Sequence, residues 1–225
     1  QVHGRIAKLR NGQLDREVAQ ATLNLCTRSE YTFSGRWTED LWAGNDTSSD
    51  DEGTYIAVID GPATAPVDET DALVTATPGL ALAVVTADCV PVLLADARAG
   101  VVGAVHAGRV GAQKGVVVRA VEAMLDLGAH AEDISALLGP AVSGRNYEVP
   151  AAMADEVEAA LPGSRTVTAK NTAGLDLRAG IARQLTGLGV TAVDIDPRCT
   201  VEDTNLFSHR RDAPTGRLAS LVWME

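Results

Sequence analysis

From Leu80 to Val105 the chain is dominated by Ala, Val and Leu and is broken by charge only at Asp88, Asp96 and Arg98. A membrane helix needs about 20 apolar residues without such interruptions, so this stretch reads as a set of short core strands. Runs of the same kind fall at Tyr55–Ile59, Leu80–Thr86, Pro91–Leu94, Val101–Val105, Ala136–Leu138, Val190–Ile195 and Leu218–Trp223. Val and Ile crowd them, and several are apolar on both faces, as strands covered on both sides are. Three helices are expected between them. Val117, Ala120, Val121, Met124 and Leu125 follow helical spacing up to Gly128. Met153, Val157 and Leu161 do so between Pro150 and Gly163, and Leu177, Ile181, Leu185 and Leu188 do so before Gly189. Strands alternating with helices predict an α/β (α+β) chain with helices layered on mixed sheets.

At 225 residues the chain suits a single domain with one full core. Only 4% of it is aromatic, so that core is built from Ala, Val, Leu and Ile. Residues 1–53 depart from the pattern: Arg5–Leu25 admits a helix, and Thr27–Gly53, rich in Ser, Thr, Asp, Gly and Trp, reads as a loop-rich segment. The formal net charge is −11 with the basic residues scattered, which argues against a nucleic-acid partner. Gln1 opens no charged leader with an apolar block behind it, so no secretory signal is expected. Three cysteines, Cys26, Cys89 and Cys199, are too few and odd in number for a disulfide framework, and a cytoplasmic setting is expected.

The sharpest chemical feature is Thr86-Ala87-Asp88-Cys89-Val90-Pro91, followed 17 residues after the cysteine by His106 in Val105-His106-Ala107-Gly108. Both residues fall at predicted strand ends. Thiolate and imidazole are zinc's preferred donors, although a strand cysteine is more commonly a small core hydrophobe. A carboxylate at Asp88 beside a core position costs desolvation energy unless it has a partner or a task. The glycine set from Gly108 through Gly111 to Gly115 leads into the first predicted helix. It suits either a tight turn or the approach of backbone amides to an anion, with Arg109 adding charge. Arg145-Asn146-Tyr147-Glu148-Val149 follows a Gly139-Pro140 turn, and Tyr147 and Glu148 could face a pocket. Phe207-Ser208-His209-Arg210-Arg211-Asp212 is dense in hydrogen-bonding groups and suits a site or a solvated loop equally. His130, after a helix end, reads as a surface or capping residue.

Taken together, Asp71-Ala72-Leu73-Val74-Thr75, Ala87-Asp88-Cys89-Val90-Pro91-Val92-Leu93-Leu94 and His106-Ala107-Gly108 resemble the YfiH/YlmD laccase-domain family, also called the multicopper polyphenol oxidase family. Gly139-Pro140, Tyr147-Glu148-Val149, Phe207-Ser208, Arg210-Arg211-Asp212 and Gly216-Arg217-Leu218-Ala219-Ser220 continue the resemblance in order over roughly residues 54–225. It implies a layered α/β/β/α fold. It also implies a zinc site of two histidines and one cysteine, with zinc favoured over copper. The cysteine maps onto Cys89 and the second histidine onto His106. The first histidine maps through Gln1-Val2-His3-Gly4 onto His3, while Glu52 stands where that histidine would precede the first core strand. Asn146 and Arg109 replace a Cys and a Trp that the family often carries.

The resemblance implies phosphorolysis of adenosine, inosine, guanosine or methylthioadenosine, and deamination of adenosine. The expected partners are purine nucleosides and phosphate, with no membrane, in a monomer or weak homo-oligomer. In that scheme zinc on His3, Cys89 and His106 acts as a Lewis acid. Asp88 shuttles protons, Arg109 and Arg210 hold phosphate beside amides near Gly108 and Gly111, and Tyr147 and Ser208 contact substrate. A cysteine hydrolase with a Cys89–His106 dyad and a non-catalytic metal-binding module are the rivals. Copper-dependent polyphenol oxidase activity is a third rival, but a full multicopper oxidase site is ruled out, because its clusters consume many paired histidines and this chain has four in all.

Overall fold

The computed structural model describes residues 56–61 and 70–225 and, before them, the backbone of four strands. Those four are β1 (Val2–Arg10), β2 (Gln13–Leu14), β3 (Ala21–Leu23) and β4 (Trp42–Gly44). The central sheet comprises β5 (Ile56–Val58), β6 (Ala72–Thr75), β8 (Val90–Asp96), β9 (Val101–Ala107), β10 (Ser135–Leu138) and β13 (Ala192–Ile195), in the order β13-β10-β8-β9-β6-β5. It is mixed: the β5–β6 and β10–β13 pairs are parallel and the rest antiparallel. A second sheet joins β1 through β14 (Arg217–Met224) to β7 (Ala81–Thr86) and β4, with β2 and β3 on β1.

Side chains alternate across a strand, and here each face has its own partner. Val90, Val92, Leu94, Val101 and Val105 face the helices. They pack with Val117, Val121 and Met124 of α2 (Val116–Asp126), Val157 of α3 (Ala151–Ala160) and Ile181 and Leu185 of α4 (Leu177–Gly187). Leu93, Ala95, Val102 and Ala104 point the other way and meet Leu82, Val84, Val222 and Met224 of the second sheet. Helices, sheet and sheet are thus stacked in layers. No described helix contributes to the cluster on the outer face of the second sheet, where Ala83, Ala219 and Leu221 are buried. Nor is any described helix long and apolar enough to cross a membrane.

The strands and helices expected from Tyr55 onward are present with ends shifted by a residue or two. The N-terminal expectation is corrected. The described backbone within Arg5–Leu25 is strand, and β1 runs antiparallel to β14 from Val2 opposite Met224 to Leu9 opposite Arg217. Pairing with a core strand gives that backbone its hydrogen-bond partners, and such tertiary pairing overrides weak local propensity. The remainder of Thr27–Gly53, apart from β4, lies outside the described residues. From Tyr55 onward three strands are additional to those expected: β6, too short and too uniformly apolar to show a period, and the hairpin of β11 (Arg165–Val167) and β12 (Ala173–Leu175).

Between β13 and the one-turn helix α5 (His209–Asp212) the chain has no strand or helix of its own, and arginines hold it. The buried Arg178 donates to the carbonyls of Asp196 and Arg198. Arg211 donates to the carbonyls of Thr200 (2.7 Å), Asp203 (3.1 Å) and Leu206 (2.7 Å). Asp196 is buried and paired with Arg198. Burial pushes its carboxyl upward, but the hydrogen bonds and charge of Arg198 outweigh that and hold it below the usual value of 3.8. A depressed carboxyl stabilises the fold above its unfolded value, and that contribution is lost as pH falls through the lower folded value. Asp196→Asn is therefore expected to cost about 1–3 kcal/mol in urea melts at pH 7, with the deficit shrinking at pH 3; an equal deficit at both would contradict the ion pair.

Candidate active site

The turn after β7 delivers Cys89, and the end of β9 delivers His106. In the β8–β9 ladder Pro91 faces His106 and Val90 faces Ala107, so the next step outward sets Cys89 against Gly108. Gly108 has φ −72°, which any residue adopts, so what it provides there is space. A Cβ at Gly108 would stand 3.3 Å from Cys89 Sγ and 3.5 Å from His106 Cε1. Thiol and imidazole therefore share the volume above this glycine.

Asp71, one residue before β6, orients the ring. Its Oδ1 lies 3.1 Å from His106 Nδ1, and its carbonyl accepts the His106 amide at 2.7 Å. With Nδ1 occupied, Nε2 is the nitrogen left for Cys89. Burial pushes the imidazole pKa down, but the hydrogen bonds and charges of Asp71 and Cys89 prevail and raise it to about 9. A carboxylate behind a histidine is also how metal-binding imidazoles are held in place.

The pair opens into a cavity of about 600 Å³, within the range of small-molecule sites. Its lining includes Arg109, Arg210, Arg217 and His209, with Tyr147 and Thr86 beside them, and Arg217 Nη1 donates to the Thr215 and Gly216 carbonyls, each at 3.2 Å. The Arg210 guanidinium sits 4.7 Å from the Tyr147 ring centroid, a cation–π contact, and donates to the Glu148 carbonyl at 3.3 Å. Burial, then the nearby Cys89, pushes the Tyr147 phenol up against the opposing effect of Arg109 and Arg210, so the phenol stays neutral. Thr86 Oγ is buried, with no hydrogen-bond partner among the described residues.

Of the residues expected to form the site, Asp88, Cys89, His106, Arg109, Tyr147 and Arg210 converge on this cavity. Gly108 lies against its thiol. Gly111 does not line it among the described residues: where a glycine loop was expected, Arg109–Gln113 forms a short helix, α1, and buries Gly111. Ser208 is fully buried and also away from the lining. Its hydroxyl accepts the Arg211 amide at 3.1 Å and caps α5, which presents His209 and Arg210. His130 is exposed and precedes a 3₁₀ turn, as expected of a surface or capping residue.

The His3 backbone is placed by the pairing of β1 with β14. Leu218 of β14 faces Thr86 at the site end, whereas His3 faces Trp223, five residues along the same strand. At about 3.3 Å per residue those two backbone positions on β14 are roughly 16 Å apart. The His3 side chain and Glu52 lie outside the described residues. Asp71, Thr200 and Arg217 are site residues that the sequence reading did not single out. Each arrives through a long-range contact that leaves no local periodicity.

As metal donors, Cys89 and His106 have the right chemistry for zinc, and Asp71 supplies the outer hydrogen bond. Among the described residues no group of three or more His, Cys, Asp or Glu converges to hold a metal ion. Metal analysis of purified variants tests the assignment. Cys89→Ala and His106→Ala are expected to lose bound zinc and His3→Ala to keep it; loss in His3→Ala would overturn the register argument. Gly108→Ala, which presses a methyl on both donors, is expected to lower turnover about tenfold or more, since displacements near 1 Å can cost a hundredfold. Its melting temperature should stay within a few degrees, and unchanged turnover would count against the site.

A family model described as multi-copper polyphenol oxidoreductase laccase matches residues 47–225. A protein named purine nucleoside phosphorylase from Mycobacterium tuberculosis is 75% identical over 173 residues, covering 77% of this chain and 69% of that protein. One of the same name from Corynebacterium glutamicum is 58% identical over 168 residues, covering 75% and 67%. Among solved structures, YlmD from Geobacillus stearothermophilus superposes with a TM-score of 0.75 at 27% identity, covering 83% of this chain and 74% of that one. YfiH from Bacillus licheniformis gives 0.72 at 27%, covering 82% and 74%. The chain belongs to the multi-copper polyphenol oxidoreductase laccase family, with the YfiH-like fold.

Proposed function

We propose that this chain is a purine nucleoside phosphorylase. The observation that carries the reading is electrostatic. In a chain of formal charge −11, the lining around Cys89 and His106 gathers three arginines about a cavity sized for a nucleoside. Such a wall suits a dianionic co-substrate. Relatives bearing the phosphorylase name at 75% and 58% identity support the same choice.

In the proposed reaction a phosphate oxygen bonds to the ribose C1′ as the C1′–N9 bond breaks. The phosphate proton ends on the departing base, giving free purine and ribose 1-phosphate. Arg109, Arg210 and Arg217 hold the phosphate. The phosphate reading rests on these side chains, since the five-residue α1 has little dipole to offer. The Tyr147 phenol, kept protonated, offers a hydrogen-bond donor to the nucleoside, and the Thr86 hydroxyl, without a partner among the described residues, offers a second polar contact. Cys89 and His106 would hold a zinc ion, which supplies Lewis-acid stabilisation of developing negative charge when bound.

Turnover of inosine and adenosine in phosphate buffer, followed by chromatography, tests the reading, with hypoxanthine or adenine expected only when phosphate is present. Inosine formed from adenosine without phosphate would assign the pocket to deamination instead. Arg210→Ala is expected to raise the KM for phosphate about 10- to 100-fold, the range for losing a hydrogen bond to a charged group, with the nucleoside KM within about threefold. The closeness of thiol and imidazole also suits a cysteine nucleophile. Inactivation by iodoacetamide that is insensitive to chelators would select that alternative.

A further inference from the structure

We propose that Asp88 is a positioning residue, a clamp that holds Arg210 over the pocket, rather than the proton carrier its place beside Cys89 suggests. Three observations carry this. The Asp88 backbone has φ +93°, and only Asn171 shares a positive φ among the described non-glycine residues. A non-glycine residue adopts such a conformation only where its surroundings over-determine it. Both carboxylate oxygens are then engaged by distant segments: Oδ1 accepts the Thr200 hydroxyl at 2.6 Å, and Oδ2 accepts the Arg210 amide at 2.7 Å. The Asp88 carbonyl accepts the Val142 amide at 3.0 Å, tying in a third segment.

The bond to Arg210 has a particular consequence. The first amides of any helix lack an intrahelical acceptor, and α5 is only one turn long. Ser208 takes the Arg211 amide from within the same segment, while Asp88 takes the Arg210 amide from 122 residues away. The one-turn helix is therefore capped twice, once locally and once across the fold. Its guanidinium then reaches Tyr147 and the Glu148 carbonyl. The carboxylate acts on the substrate through Arg210.

Two substitutions separate the clamp from proton transfer. Asn tolerates positive φ. In Asp88→Asn the side-chain carbonyl can accept the Arg210 amide while its NH₂ donates to the Thr200 hydroxyl, which rotates to accept. Asp88→Gly relieves the backbone but removes both acceptors. The kinetic half of the test rests on the phosphorylase reading; the exchange half does not. Asp88→Asn is expected to keep turnover within about threefold of wild type and to keep slow deuterium exchange at 207–212. Asp88→Gly is expected to raise the KM for phosphate about tenfold or more, with the nucleoside KM little changed, as loss of an oriented charged partner does. Its amides at 207–212 should exchange about tenfold or more faster. Turnover in Asp88→Asn as low as in Asp88→Gly, with wild-type exchange, would restore the proton-carrier role. Unchanged exchange in Asp88→Gly would overturn the clamp. Should wild type show no phosphorolysis, the phosphorylase reading fails, and the exchange comparison alone decides on Asp88.

Discussion

The pairing of β8 with β9 is the constraint on which the rest depends. Seven consecutive residue pairs run from Asp96–Val101 to Val90–Ala107, and nearly every side chain in both strands is buried. A one-residue slip would turn every side chain to the wrong layer. Here both layers are core, so a slip would set Val and Leu into spaces shaped for other residues on two faces at once. That fixed register brings Cys89 to Gly108 and places His106 two residues inside. Asp71 arrives from the next strand over, where Ala72 pairs with Val105. The site inherits its precision from core packing.

Arginine is used in two ways, and the contrast explains how a strongly acidic chain builds a basic pocket. Arg178 and Arg211 spend their donors on backbone carbonyls and stand in for secondary structure over residues 196–206. Arg109, Arg210 and Arg217 line the cavity, and the last two each keep a bond to a nearby backbone carbonyl as well. A guanidinium presents five donors in a planar fork, so it can bind several carbonyls of an irregular loop or a tetrahedral oxyanion equally well. Which use applies depends on what surrounds it. Arg210 and Arg211 are adjacent in sequence, yet one lies over Tyr147 and the other ties down the loop.

This is also where legibility ended. The strands around Cys89 and His106, the three long helices and the pairing of those two residues could be read directly, because burial on both faces leaves a dense apolar record and helices leave a period. Asp71 sits in a run too short to show one. Ser208 looked like a ligand contact because a serine among charged residues suits a pocket as well as a cap, and only its burial separates the two. For β1, local composition admitted a helix, and the partner strand that decides the matter lies more than 200 residues away. The backbone register of His3, opposite Trp223, depends on that same distant strand, because a four-residue motif does not carry its register with it.

The positions of the strand ends show why chemistry collects where it does. β7 and β9 finish, and β6, β8 and β14 begin, at one end of the two packed sheets. β10 joins them, its end continuing into Gly139, whose amide donates to the Pro91 carbonyl. At that end the backbone leaves its ladders, and side chains from both sheets gain a common open volume without disturbing the layers beneath. Thr86 and Arg217 come from the second sheet, Cys89, His106 and Asp71 from the first. Asp88 lies at the crossing between them, between β7 in one sheet and β8 in the other. A residue at that crossing is covalently fixed to both sheets, which makes it the best-anchored point from which to hold an irregular segment such as 200–210. Its unusual backbone conformation follows from the same place in the fold: the chain must pass from one sheet to the other within three residues and still aim a carboxylate at the loop.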